Sequence, residues 1–133
     1  MKNFFLKFFT WWHGQTFGTQ LWTRLYGEYV GTDDFGNKYY RGRGKDKTIG
    51  VERRWVIYNG LAEASKVPPG WHGWLHNTVA TPPSEEDYRP REWQKPYHPN
   101  YTGTDLAYRP PGSTLKSGER PPATGDYQPW TPG

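Results

Sequence analysis

Along the first dozen residues Phe4, Phe5, Phe8, Phe9, Trp11 and Trp12 recur at helical spacing, with Asn3, Lys7 and Thr10 on the opposite side. A 3.6-residue period gathers the rings into one stripe and predicts an amphipathic helix that stops near Gly14. A second short helix is expected after Thr19 as N-cap, with Leu21, Trp22, Leu25 and Tyr26 on one face and Gly27 at its end. There the period changes to two. The run "GEYVGTDDFGNKYYRGR" predicts two strands joined by a turn over Asp33 to Asn37, in which Gly36 or Asn37 takes positive φ. "VERRWVIYNG" predicts a third strand, with Trp55 and Ile57 on one face and Arg54, Val56 and Tyr58 on the other. A helical turn between Leu61 and Lys66 is stopped by Pro68 and Pro69. Pro69 has no amide to leave unpaired in a first turn, so a short helix starts there and runs through Trp71, His72, Trp74, Leu75 and His76.

Beyond Thr81 the pattern changes again, because all but two of the 13 prolines lie in residues 82–133. That density excludes helix and central strand and predicts extended polyproline II, punctuated by Trp93, Tyr97, Tyr101, Tyr108, Tyr127 and Trp130. A free tail has little use for so many large rings. An arm laid along another surface uses the preset φ angles to lower its ordering cost and the rings as anchors. The alternative, a disordered solvated tail, stays open chiefly for residues 113–133. The expected class is therefore α+β with low regular content. It comprises an amphipathic helical segment over residues 1–27, a small sheet-plus-helix core over 28–81 with about three antiparallel strands, and a proline-rich arm over 82–133.

Composition sharpens this picture. Leu, Ile, Val and Phe make up about 15% of the 133 residues, below the roughly 20% at which a highly charged chain is suspected of disorder, but the net charge is only +4. Eight Trp and ten Tyr supply the apolar area that the aliphatic residues do not. Such rings suit half-buried, half-wet surfaces, so the balance favours a bound subunit over a compact enzyme. The absence of cysteine excludes disulfides, thiolate catalysis and iron–sulfur ligation. A pI near 9.3 favours acidic partners without choosing among anionic lipid, nucleic acid and acidic protein. No run approaches the roughly 20 apolar residues of a membrane span. Lys7 breaks the only candidate signal segment, and Arg and Ser are absent there, so the first residues are expected to belong to the mature protein. Phe and Trp as dense as those of residues 4–12 exceed what so short a chain can bury, which favours membrane or a partner over their own domain as their cover.

Three stretches invite a chemical reading. His72 and His76 at i and i+4 have the spacing of a two-histidine metal pair, but Gly73 stands where a metalloprotease needs Glu, and no third ligand is assignable. "RGRGKDK" (residues 41–47) fails as a phosphate-binding loop because Lys45 is followed by Asp46. With Tyr39 and Tyr40 nearby it suits single-stranded nucleic acid, anionic lipid or a protein partner equally. Asp33 and Asp34 occupy a turn, where Asp bonds its own backbone, and Glu85, Glu86 and Asp87 a polar loop, so no carboxylate pair stands out for acid–base work.

Taken in order, "GTDDFGNKYYRGR", "RRWVIYNG", "ASKVPPGWHGWLHN", "KPYHPNYTGT" and "AYRPPGS" resemble a small accessory subunit of respiratory complex I, the NADH:ubiquinone oxidoreductase, of the alpha-subcomplex subunit twelve family. The resemblance runs from about Gly31 to Ser113 and implies a non-catalytic polypeptide without cofactor, metal or small-molecule substrate. It implies as partners the iron–sulfur and quinone-module core subunits of the peripheral arm, with possible peripheral contact to membrane lipid and no nucleic acid. No mitochondrial presequence is evident, so the implied location is the cytoplasmic face of a bacterial inner membrane. On this reading the partner or membrane interface comprises Phe4, Phe5, Phe8, Phe9, Trp12, Tyr39, Tyr40, Arg54, Trp55, Trp71, His72, Trp74, Leu75, His76, Trp93 and Tyr108. Three alternatives stay open: the assembly-factor paralogue of the same family, a small basic single-strand nucleic-acid-binding module, and a metal-dependent enzyme using His72 and His76.

Overall fold

The computed structural model describes residues 15–127 and 129–132, and the aromatic helix expected over residues 4–12 lies outside them. Helix α1 spans Phe17–Tyr26 and starts earlier than the sequence suggests. Its N-cap is Thr16, whose Oγ1 accepts from the Thr19 amide at 3.2 Å, so Thr19 is the residue capped and not the cap. Thr16 and Thr19 are both competent caps by residue type. Thr16 wins because its extended backbone admits Phe17 and Gly18 as an extra turn. Gly27 ends the helix, as expected, but at φ −90° and ψ 143° it passes straight into a strand instead of turning left-handed. Glycine is needed there for space. A Cβ would lie 2.5 Å from the Thr23 carbonyl oxygen and 2.8 Å from the Trp55 ring.

Strands β1 (Gly27–Thr32), β2 (Lys38–Lys45) and β3 (Glu52–Ile57) form an antiparallel meander in the order β1-β2-β3. The register sets Tyr29 opposite Tyr40 and Tyr40 opposite Trp55, so three rings cross one face of the sheet. Tyr29 meets Tyr40 edge-on at 5.7 Å, and Tyr40 stacks on Trp55 at 6.1 Å. Period-two alternation puts Tyr39 and its partner Val56 on the other face. The ladder slips between Tyr29 and Gly31. As a result Val30 packs on the core while a Cβ on Gly31 would point at Trp71 only 2.8 Å away, so two successive residues serve one face.

A 3₁₀ turn at Ala64–Lys66 leads into helix α2, Pro69–Leu75, which starts at Pro69 as expected. α2 lies on the Tyr39 face. Trp71 stacks on Tyr39 with centroids 3.9 Å apart and planes 8° apart, and Trp74 meets the same ring edge-on at 6.4 Å. Tyr39, Val67, Trp71 and Trp74 are the buried hydrophobic core, with Val30, Val56, Tyr58 and Leu75 packed around it. α1 belongs to the opposite face, where Trp55 Nε1 donates to Thr23 Oγ1 at 3.1 Å and Thr23 is its single buried residue.

After Asn77 no described residue enters a helix or strand. Pro82 is buried, Ser84 Oγ donates to the Val30 carbonyl at 3.2 Å, and Tyr97 meets Phe35 edge-on and donates to the Ser65 carbonyl. The chain divides by its internal contacts into Met1–Pro99 and Asn100–Gly133. Within Asn100–Gly133 turns punctuate the chain: the amides of Thr104, Ser113 and Asp126 bond the carbonyls of Tyr101, Pro110 and Ala123. Proline fixes φ at a value that also suits the second position of a turn. Pro111 followed by Gly112 therefore closes a turn where an uninterrupted proline run would stay extended.

The close approach at Gly31 predicts that Gly31→Ala lowers unfolding free energy by about 1–3 kcal/mol, as overpacking does. Gly125, with open space around the Cβ position, is the control. Urea midpoints of the full-length variants check both, and equal midpoints would contradict the fit of Trp71 over Gly31.

Candidate interface and the polar frame that presents it

The β1–β2 turn is held from within by one carboxylate. Asp33 Oδ1 accepts from the amides of Phe35 and Asn37, each at 2.9 Å, and Oδ2 accepts from Asn37 Nδ2 at 2.9 Å and the Tyr39 hydroxyl at 2.7 Å. Asn37 is fully buried. Its Nδ2 also donates to the Lys66 carbonyl at 3.2 Å, and its Oδ1 accepts from the Asn59 amide at 3.0 Å. Asn59 Nδ2 returns to the Phe35 carbonyl at 3.1 Å. One turn thereby ties both sheet neighbours to the loop that delivers α2. Gly36 takes φ +80°, so it and not Asn37 supplies the positive φ. No buried side-chain nitrogen or oxygen among the described residues lacks a partner.

Arg54 performs the equivalent task at the far end of α2. Its side chain is almost wholly buried, and Nη1 donates to the carbonyls of Trp74 at 2.7 Å and Val79 at 2.9 Å. The guanidinium lies 4.7 Å from the Trp74 ring centroid, while Nε and Nη2 hold Glu52 Oε1. A cation at a helix C-terminus answers the carbonyls that have no amide one turn on, and stacking on indole adds to it. Asn77, in the left-handed region at φ 56°, completes the stop by donating its amide to the Trp74 carbonyl.

The histidines that suggested metal chemistry stack on each other with centroids 4.1 Å apart, and His76 Nδ1 is engaged with the His72 carbonyl at 2.9 Å. Among the described residues no group of three or more His, Asp or Glu side chains is placed to hold a metal ion.

The expected interface residues separate into three groups. Tyr39, Trp71 and Trp74 are buried in the chain's own core, so the seam they close joins α2 to the sheet. Tyr40, Arg54, Trp55 and Leu75 are partly buried, and His72 and His76 are exposed on α2. Trp93 and Tyr108 stand 74% and 88% exposed. Phe4, Phe5, Phe8, Phe9 and Trp12 lie outside the described residues. The apolar face of α1 was not among the expected contacts. Yet Phe17, Leu21, Trp22, Leu25 and Tyr26 are all about half exposed, and Ile49 of the β2–β3 turn lines the same cavity as Trp22. Its signal was present in the sequence as helical spacing with no apolar stripe of matching length to cover it.

The family model for NADH ubiquinone oxidoreductase subunit NDUFA12 matches residues 27–132. The chain belongs to this family. Among similar proteins, the NADH dehydrogenase [ubiquinone] 1 alpha subcomplex subunit 12 of Bos taurus is 36% identical over 110 residues, covering 74% of each chain. An uncharacterized protein of Rickettsia prowazekii is 41% identical over 66 residues, half of this chain and 64% of that one. The NADH dehydrogenase [ubiquinone] 1 alpha subcomplex assembly factor 2 of Homo sapiens is 38% identical over 71 residues, 45% of this chain and 40% of that one. The chain thus spans just under two thirds of the Rickettsia relative. The NDUFA12 match begins at Gly27, the first residue of β1, and leaves α1 outside it.

Burial first, and then the bond it donates to Asp33, raises the Tyr39 hydroxyl above its ordinary pKa of 10.0. Burial raises Tyr58 likewise. The folded chain then keeps these protons at pH values where the unfolded chain releases them. Their contribution is complete below about pH 10 and declines above it, by as much as about 1.4 kcal/mol per pH unit for each tyrosine. Urea unfolding between pH 7 and 11 is expected to show that decline, and Tyr39→Phe is expected to be less stable at pH 7 with a shallower alkaline fall. An unchanged slope would remove Tyr39 from the titrating set.

Proposed function

We propose that this chain is a non-catalytic accessory subunit of respiratory complex I, stabilising or helping assemble the peripheral arm near the quinone module and the membrane junction. The observation that carries the reading is the mismatch between core and surface. The described residues bury four hydrophobic side chains as a core and leave many more large apolar ones exposed: the α1 face, Trp93 and Tyr108, with Tyr127 and Trp130 at 85% and 79% exposure. Free proteins seldom carry so much exposed ring area unless a partner covers it. Membership of the NDUFA12 family supports other complex I subunits as that partner, and we take these to be the core subunits carrying iron–sulfur clusters or forming the quinone site. The location is then the cytoplasmic side of a bacterial inner membrane. No helix among the described residues is long and apolar enough to cross a bilayer, which accords with a peripheral position.

A second reading is an assembly factor, favoured by the similarity to the human protein of that name. The two differ in persistence. A resident subunit stays in the mature enzyme at one copy per complex, whereas an assembly factor leaves before completion.

Mild-detergent extraction of native membranes, followed by native electrophoresis and NADH:quinone activity staining, is expected to recover the chain in the active complex at constant stoichiometry. Recovery in incomplete intermediates alone would favour the assembly factor, and recovery as a free protein would overturn both readings. Arg54→Ala, which removes the cap on α2, is expected to destabilise the chain by about 2 kcal/mol. It should lower the assembled fraction of the complex and leave turnover per assembled enzyme unchanged. Altered turnover at full assembly would contradict a non-catalytic role.

A further inference from the structure

Between α1 and the β2–β3 hairpin lies a cleft that neither the core nor the polar frame uses. Trp22 and Tyr26 form its helical side, Trp55 its base, and Arg43, Gly44 and Lys45 its far side. The two rings on α1 pack against each other with centroids 4.4 Å apart and planes tilted by 41°. Phe17, Leu21 and Leu25 continue the exposed apolar surface along the same helix.

The charge around this cleft is of one sign once internal pairs are set aside. Glu28 binds Arg41, Asp46 binds Arg53, and Glu52 binds Arg54. Asp46 is committed further by the Thr48 amide, at 2.7 Å from Oδ1. Arg43, Lys45 and Lys47 have no ion pair among the described residues. From Tyr39 to Arg54 the chain holds six basic against two acidic residues, an excess equal to the +4 of the whole protein. The net charge of the protein is thus that of this hairpin.

We propose that this face docks on an anionic phospholipid surface. Trp22, Leu25 and Tyr26 enter the boundary between headgroups and acyl chains, and Arg43, Lys45 and Lys47 reach the phosphates. Three features favour lipid. A ten-residue amphipathic helix with aromatic residues beside flexible cations has the anatomy of an in-plane interfacial element, because long Lys and Arg stems let the charge stay wet while apolar rings sink. Protein interfaces are depleted in lysine, since ordering and desolvating its stem is costly, and two of the three cations here are lysine. Single-stranded nucleic acid needs ring faces open for bases to stack on, but Trp22 and Tyr26 close on each other and Trp55 is stacked on Tyr40.

This proposal concerns the chain by itself and stands apart from the accessory-subunit reading. Vesicle flotation of the full-length chain tests it, with phosphatidylcholine alone or mixed with one third phosphatidylglycerol, at low and high salt. A single-stranded oligonucleotide titration runs in parallel. Binding is expected to the anionic vesicles, weakened by salt and reduced about fivefold by each of Arg43→Gln and Lys45→Gln. Trp22→Ser, at a half-exposed position, is expected to reduce binding while leaving near-UV circular dichroism outside the lost indole signal unchanged. Wild-type protein that stays off anionic vesicles overturns the proposal. So does binding unaffected by all three substitutions, which would assign it to residues outside the cleft, or tight oligonucleotide binding without vesicle binding.

Discussion

The stack of Tyr39 on Trp71 is the contact on which the rest of this small structure depends. At 3.9 Å and 8° it is close and almost parallel, and it joins the central strand to the helix laid over it. Parallel stacking this tight is possible only if the backbone beneath Trp71 carries no side chain, which is why Gly31 and the slipped register of β1 belong to the same device. Trp74 then closes the edge of the Tyr39 ring and gives Arg54 a surface to lie on. With so few aliphatic residues available, three rings do the work that a larger domain assigns to a layer of Leu and Val.

A core this small cannot tolerate an unpaired polar group, and its phenolic hydroxyl is placed accordingly. The Tyr39 hydroxyl ends on Asp33, which also organises the turn, and the turn's Asn37 reaches forward to the loop before α2. Turn, strand and helix approach are thereby one hydrogen-bonded unit. Charged groups in such a unit are stabilised by several donors at once, and losing any one leaves the others short of a partner. Arg54 repeats the logic at the opposite end of α2, where it serves the helix terminus, Glu52 and the Trp74 ring.

Much of this was legible from residue order. Period two across Tyr39 and Tyr40, and the Pro69 start, located α2 and the starts of all three strands to within a residue, because proline and alternation act locally, while the ends of β2 and β3 were off by two or three. The N-cap was misplaced because Thr16 and Thr19 satisfy the same local rule by residue type. The roles of Asn37 and Arg54 in holding α2 were out of reach, since the carbonyls they reach, of Lys66 and Trp74, lie 29 and 20 residues away and no spacing encodes that. Trp71 and Trp74 were expected at a partner's surface for a related reason. An aromatic residue that seals a helix to its own sheet and one that seals it to another protein have the same local pattern. Only the geometry distinguishes them.

That distinction redirects attention from α2 to α1. Of the positions that carry the family resemblance, those from Gly31 through His76 are largely the ones that build the core and the polar frame. They report how the chain folds more than what it touches. The side chains left over for contact are elsewhere: on α1, which the family match leaves out, and in the proline-rich remainder. A protein whose framework spends nearly all of its buried area on holding one helix to three strands has little surface chemistry left in that framework. The large exposed side chains lie instead in the segments attached to it, and these differ in kind. α1 offers a short apolar stripe next to unpaired cations, whereas Asn100–Gly133 offers turns that display single rings. Surfaces so different do not suit one partner.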